Sequence, residues 1–372
     1  MCKLAAEDVA KLAPFNSDPR VTRITTFSEK WASNMLKRHS LTKHKIHAKD
    51  RTQIRPSAVE VEETLKNIQR EIADSGLDSD NVFSADETGV NLQSQFLHKY
   101  VKKGSKEKSS DDADEKKRFT DMAAISASGV SVPPYLIIPC TSKKADLTRT
   151  TVCDTLLESL NSNGGDDSWE KCVWEKTLLF PNNKTKQMEN TTFKRPYLLH
   201  KYSGAVVTCQ GKAWMDRIGL LMWCDTVMGK WTEANGGKGI IIWDNCKSHL
   251  SPIVIEHFAN AGIKLLALPP NMTDLLQVLD LIFNGPFKAF LRHERLLPIY
   301  NAFQKHQTDC HRCLIANQPS PPWIPPPVSM SECIKSIIKF VAIKNEDNKF
   351  KQSVQPNGFT RKNLPTLVRE LK

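Results

Sequence analysis

Residues 239–280 read GIIIWDNCKSHLSPIVIEHFANAGIKLLALPPNMTDLLQVLD, and this stretch decides the fold class. GIIIW is an unbroken apolar run of the length of a buried strand, and it ends in Asp244. HLSPIVIEHFANAG has helical periodicity closed by Gly262. IKLLAL is a second buried strand stopped by Pro269 and Pro270, and the segment from Thr273 onward is helical in its first part. Strand, helix, strand, helix predicts a mixed α/β sheet flanked by helices.

Working outward, residues 81–85 (NVFSA) predict a short strand that delivers Asp86, Glu87 and Thr88 at its C-terminal end. FTDMAAISASGVSVPPYLIIP (119–139) predicts two strands joined at Ser128 and Gly129. Residues 57–75 put Val61, Leu65, Ile68 and Ile72 on one helical face and stop at Gly76. Residues 26–39 space Phe27, Trp31 and Met35 as a short amphipathic helix with Ser28 as N-cap, and the basic stretch after it, up to Pro56, reads as a linker. Residues 99–118 read as an exposed charged loop, and 141–200 show no clear pattern. QPSPPWIPPP (318–327) marks a boundary, followed by a short helix near 331–343 and a basic tail. Three regions follow: a short helical N-terminal segment over 1–55, a main α/β domain over 56–300, and a Pro-rich linker, helix and tail over 301–372.

Asp86, Asp244 and Asp280 stand at the ends of apolar elements, where a solvated surface charge is not expected. The ends of strands in an α/β sheet face the crevice that houses active sites. Carboxylates gathered there repel one another, and a hard cation with a preference for oxygen, such as Mg²⁺, relieves the repulsion. Two such ions about 4 Å apart suit phosphodiester cleavage. The competing role for any one of the three is an ordinary helix N-cap. Asp274 is a weaker third member: six residues turn a helix by about 240°, so it cannot share a face with Asp280. Asn245 and His249 flank Asp244 and are placed to orient its carboxylate.

The 372 residues carry 52 Lys and Arg against 41 Asp and Glu, a net charge of +11 that favours polyanionic partners. Residues 1–55 hold twelve basic and five acidic side chains, so most of the excess sits in one seventh of the chain. No apolar run approaches the ~18 residues of a spanning helix, so no membrane partner is expected and an intracellular location is. The ten cysteines then read as reduced thiols. His306, Cys310 and Cys313 have zinc-like spacing but lack a second pair. Trp31, Trp214, Trp223 and Trp243 fit core patterns better than base-stacking platforms. No glycine-rich phosphate loop or nucleophile elbow is present, which disfavours an NTPase or a serine hydrolase.

SADETGV (84–90), DNCKSH (244–249) and LPPNMTDLLQVLDLIFNGPFK (268–288) resemble the three catalytic blocks of the pogo/Tigger/Jerky transposases, a mariner-related group with a DDE superfamily endonuclease domain. Pro269, Pro270, Asn271, Gln277, Leu279 and Lys288 fit the same pattern, whereas Val278 replaces a usual proline and Asp274 a usual Ser or His. The resemblance covers roughly 81–290 and extends to Gly211-Lys212-Ala213-Trp214-Met215. It implies an RNase H-like fold in which Asp86, Asp244 and Asp280 bind two Mg²⁺ or Mn²⁺ ions. It further implies cleavage of double-stranded DNA at transposon ends, strand transfer into TA targets, a homo-oligomer during transposition and a nuclear location. KWASNMLKRHSL (30–41) resembles the tail of a centromere-protein-B-type helix-turn-helix, with room for only part of one such unit, as expected of a truncated copy or of an incomplete gene model. Lys37, Arg38, Lys43, Lys45 and Lys288 are the expected DNA contacts. The alternative is a domesticated, catalytically silent relative that binds chromatin DNA.

Overall fold

The structure, a computed structural model, describes residues 29–39, 41–45, 57–91, 98–102, 118–140, 145–161, 168–181, 187–324, 326 and 329–354. Its elements are α1 Glu29–Arg38, β1 Leu41–Lys45, α2 Ala58–Ser75, β2 Val82–Asn91, β3 His98–Lys102, β4 Arg118–Ser126, β5 Tyr135–Pro139, α3 Ala145–Asn161, β6 Trp169–Pro181, β7 Met188–His200, β8 Val206–Gln210, α4 Arg217–Trp223, α5 Gly229–Ala234, β9 Gly239–Trp243, α6 Pro252–Asn260, β10 Ile263–Ala267, α7 Thr273–Leu276, α8 Asn284–Ile315, α9 Met330–Glu346 and α10 Asn348–Val354. Two compact units result: one of residues 1–52, 94–114 and 296–326, the other of 53–93, 115–295 and 327–372.

In the first unit β1 pairs antiparallel with β3, from Leu41 opposite Lys102 to Lys45 opposite His98. The stretch expected to be only a linker therefore contains a strand, and the expected loop 99–118 begins with its partner. LTKHK and HKYVK are polar, so neither advertises itself by an apolar pattern; the pairing supplies the hydrogen bonds that neither has alone. Helix α1 matches the expected 26–39 element, whereas Ser28 lies outside the described residues.

The second unit is built on an eight-stranded sheet of order β10-β9-β2-β4-β5-β8-β7-β6. β2, β4 and β5 form an antiparallel meander, and β9 and β10 join the other side of β2 in parallel. That five-strand order, with the second strand reversed, is the RNase H-like mixed sheet. β9 is buried at all five positions, as an interior strand of a sheet covered on both faces must be. Residues 119–139 form the expected hairpin, and the unreadable 141–200 contain α3 and a ribbon in which β6 and β7 pair over thirteen residues each.

Both faces of the sheet are covered. Phe83, Ala85, Met122 and Trp243 pack on one side with Trp223 and with Phe258 of α6. Val90, Phe119, Ala123 and Ile125 pack on the other with Phe283 and Phe287, and with Cys333, Ile334, Ile337, Phe340 and Phe350 of α9 and α10. Each such aromatic or aliphatic side chain contributes about 1.5–3 kcal/mol on burial. Helices α9 and α10 are thus packed on this face of the sheet. Helix α8 also runs further than expected, through Pro298 to Ile315.

α2 carries a complete capping box: the Ser57 side chain accepts from the Glu60 N–H, and the Glu60 carboxylate accepts from the Ser57 N–H at 2.8 Å. Gly76 ends the helix at φ 63°, a left-handed conformation that costs glycine nothing. Ser57→Ala is expected to cost about 1 kcal/mol. An unchanged midpoint in urea denaturation would show that tertiary contacts of Val61 and Ile68, not the cap, hold this end.

Candidate active site

β9 lies parallel to β2 with Val82 opposite Ile240, Phe83 opposite Ile241 and Ser84 opposite Ile242. Continued by two residues, that register sets Asp244, just past the end of β9, level with Asp86. Asp86 is not at a strand terminus as expected: β2 continues to Asn91 against β4 alone, because β9 has stopped. The outcome for Asp86 is the same, since its carboxyl flanks the opening left by β9.

Asp280 reaches this opening through a break in the helix. α7 ends at Gln277, whose backbone is extended (ψ 110°), and Leu279–Phe283 then form a π turn. Single π turns often mark functional positions. Gln277 is fully buried, and its Nε2 donates to the carbonyl of Ala85, the residue before Asp86, at 2.6 Å. One side chain thus fastens the Asp280 segment to the Asp86 strand. Asn284 Nδ2 donates to Asp280 Oδ1 at 2.9 Å. Gln277→Leu strips the donor from the Ala85 carbonyl, with an expected cost of about 1–3 kcal/mol. A urea midpoint equal to wild type would mean that this bond does not hold the two segments together.

Burial and then the charge of Asp280 push the Asp86 carboxyl up to about 7, against a hydrogen bond from the Glu87 backbone; Asp244 and Glu87 add to the rise. Asp280 and Asp244, both foreseen in the sequence, thus act on Asp86. For Asp244 burial works upward, but His249 and the Cys246 N–H, which donates at 3.2 Å, leave it below the usual carboxylate range. Neither Asp86 nor Asp244 is a helix cap: Asp86 sits within a strand, and α6 starts at Ser251 with Pro252 in its first turn.

His249 lies where the sequence placed it, beside Asp244, with Nδ1 at 2.6 Å from Oδ1. Its Nε2 meets Glu87 Oε1 at 3.1 Å, and its ring stacks on Trp243 at 4.3 Å. Burial pulls the imidazolium down, but the contacts with Asp244 and Glu87 carry it up to about 10. Glu87 is the residue that sequence reasoning missed; its position directly after Asp86 in SADETGV was the available signal. Asn245 is exposed and has no hydrogen bond to Asp244.

Of the expected DNA contacts, Lys37 and Arg38 are exposed at the end of α1, and Lys288 is exposed on α8. Lys43 and Lys45 lie on β1, and the side chains of that strand and of Asp274 are outside the described residues. Trp223 and Trp243 are core residues, but Trp214 is 54% exposed, with the Arg118 guanidinium 4.2 Å over its ring. The cause is local: Ala213 is buried at φ 51° and turns the chain so that the next side chain faces out. His306 Nε2 lies 3.4 Å from Cys310 Sγ, and among the described residues this pair is not part of a three-ligand cluster. A second cluster, Cys224, Asp225 and His257, is saturated: Asp225 accepts from Trp174 at 2.8 Å, from Lys176 at 2.9 Å and from His257 at 2.8 Å. Burial opposes ionisation of Asp225, yet these donors bring it down to about 2, which marks a structural ion cluster.

Residues 178–319 match the family model of the DDE superfamily endonuclease. The matched segment contains Asp244 and Asp280, and Asp86 lies upstream of it. A comparison with curated proteins gives no match. Among solved structures, the mariner Mos1 paired-end complex with Mg is similar at 8% identity and a TM-score of 0.44, over 98% of this chain and 77% of that one. The Mos1 strand transfer complex is similar at 10% identity and a TM-score of 0.41, over 99% and 76%. The catalytic domain of Mos1 mariner transposase is similar at 12% identity and a TM-score of 0.28, over 63% and 95%. Among the described residues, no helix is long and apolar enough to cross a membrane.

Proposed function

We propose that this chain is a metal-dependent DNA endonuclease of the transposase type, of the pogo/Tigger/Jerky group. The observation that carries the proposal is the convergence of Asp280 and Asp244 on Asp86 past the end of β9, two of the three inside a segment that matches the DDE endonuclease model. A carboxyl whose proton affinity is raised by burial and by neighbouring carboxylates marks a concentration of negative charge and oxygen donors, which fits a hard divalent cation. Asp86, Asp244 and Asp280 would hold two Mg²⁺ or Mn²⁺ ions. When bound, such ions activate an attacking oxygen and stabilise a leaving one.

The chain's own part is positional. Gln277 sets the spacing of Asp280 from Asp86, and His249 fixes the carboxylate of Asp244. Water then attacks the phosphodiester at the transposon end, and the freed 3′-hydroxyl attacks target DNA. The +11 charge adds salt-sensitive affinity for double-stranded DNA. Residues 30–41 belong to a helix-turn-helix of the centromere-protein-B type, and the protein acts as a homo-oligomer in the nucleus.

The test is nicking of supercoiled plasmid by the purified protein with Mg²⁺, with Mn²⁺ and with chelator, beside Asp244→Ala. Cleavage that needs both the metal and Asp244 supports the reading. Salt-sensitive DNA binding by both proteins, with no cleavage by either, would instead favour the silent DNA-binding relative.

A further inference from the structure

We propose that Trp214 is a stacking platform for an unpaired nucleobase of DNA bound at the acid cluster, with the Arg118 guanidinium backing its indole. The nature of the nucleic acid rests on the endonuclease reading, whereas the platform rests on how residues 210–214 are built. The sequence put Trp214 in the core, yet it is 54% exposed.

Its outward position is fixed. Gln210 Oε1 accepts the N–H of Lys212 at 2.9 Å and that of Trp214 at 3.2 Å, and the Ala213 N–H donates to the Gln210 carbonyl at 2.9 Å. Thr120 Oγ1 donates to the Ala213 carbonyl at 2.5 Å, and Ala213 itself is fully buried at φ 51°. An alanine persists in the left-handed region only where its surroundings hold it there, and such positions gather at ligand clamps. Here the result is a large apolar ring held out to water. The Arg118 guanidinium covers one face of that ring at 4.2 Å from the centroid, so the open surface is the opposite face and the edge. A base laid on the open face completes a sandwich of arginine, indole and base.

The platform stands at the same edge of the sheet as the acids. β2, β5, β8 and β9 run in one direction, so the chain leaves β8 toward Trp214 and β9 toward Asp244 at a common edge. Thr120 is opposite Gly89, on the face that carries Glu87 and His249. Gly89 is exposed, and a Cβ built on it would meet no atom within 4 Å, so the floor between Glu87 and the platform is open. Three residues of rise and one strand spacing separate Asp86 from Thr120, about 11 Å, the reach of a few nucleotides. The local charge suits a phosphate backbone. Lys212 and Arg217 are exposed, while Asp216, the one acid of residues 210–217, is held by Arg195 at 2.7 Å.

The test is binding of a labelled single-stranded thymidine dodecanucleotide, and of its abasic counterpart, to the purified full chain with chelator present so that nothing is cut. Wild type should bind the intact strand about 5- to 100-fold more tightly than the abasic one, the worth of a stacked base. Trp214→Ala should lose that preference and Trp214→Phe should keep most of it. The ratio is taken within each protein, so a change in folded fraction cancels. No preference in wild type, or an undiminished preference in Trp214→Ala, would overturn the proposal. Plasmid nicking by a wild type without the preference refutes the platform alone. A preference that needs Trp214, in a protein that never nicks DNA, refutes the nuclease reading alone.

Discussion

Asp86→Asn is expected to abolish metal-dependent cleavage, by at least about 1000-fold, since a lost ligand forfeits several kcal/mol of transition-state stabilisation. The same change should raise the melting temperature of the metal-free protein. Asp86 is largely buried and is repelled by Asp280, Asp244 and Glu87, and asparagine keeps its shape without the charge. Relief of about 1 kcal/mol moves the midpoint of a domain this large by about 2–4 °C. Added Mg²⁺ should stabilise wild type, because it binds the folded state only, and should leave the variant nearly unmoved. Nicking assays and thermal melts at several Mg²⁺ concentrations check both halves. A variant that loses activity and melts lower would identify Asp86 as a structural residue.

Asp121→Asn is the second large effect, and it concerns stability alone. Asp121 lies opposite Thr88 in the β2–β4 pairing, on the Asp86 face of the sheet, and is 1% exposed. Its Oδ1 and the Thr88 Oγ1 have no hydrogen-bond partner. Burial alone pushes the carboxyl from 3.8 to about 7. The folded state therefore holds this proton more tightly than the unfolded chain. Stability is full below pH 4, is lost as pH rises toward 7, and stays low above that. At about 1.4 kcal/mol per tenfold difference in proton affinity, the penalty at pH 8 is on the order of 4 kcal/mol. The asparagine variant should escape it, so urea midpoints should differ strongly at pH 8 and hardly at pH 4. Equal differences at both values would show that the carboxyl is not the cause.

The fold was readable where a single physical signal dominated. GIIIW is a strand buried on both faces; IKLLA is a strand too, but at the edge of the sheet, half-buried beyond Ile263 and with Lys264 exposed, and Gly76 and Gly262 stop their helices at φ 63° and 75°, as their sequences imply. Asp86, Asp244 and Asp280 stood out because charge at the end of an apolar element needs a reason. What escaped was decided by partners distant in sequence. Leu41–Lys45 is polar and is a strand only because His98–Lys102 pairs with it. The β6–β7 ribbon has its long ladder in place of a continuous apolar face. Helix α8 outruns the part of its segment read as helical, and it passes through Pro298 because proline removes one donor and one backbone bond, a loss that a 32-residue helix absorbs. Trp214 looked like a core residue until the backbone at Ala213 turned it outward. Glu87 was hidden by its neighbour: Asp86 and Glu87 point to opposite faces of β2, and only the packed structure shows His249 waiting on the second face.

The short β2–β9 register has a consequence for insertions and deletions. Only three residue pairs align Asp86 with Asp244, and a strand shifted by one residue turns every side chain to the other face. A single residue gained or lost between Val82 and Asp86 would put a glutamate or an alanine in the place of Asp86 while leaving the run apolar and the sheet intact. Length changes between β5 and β8 cost far less, for there the chain already carries a helix and a long ribbon without disturbing the pairing of β5 with β8. This protein thus has one segment whose length behaves as a fixed measure and another that tolerates growth, and a silent copy could differ from a cutting one by a single codon in the first.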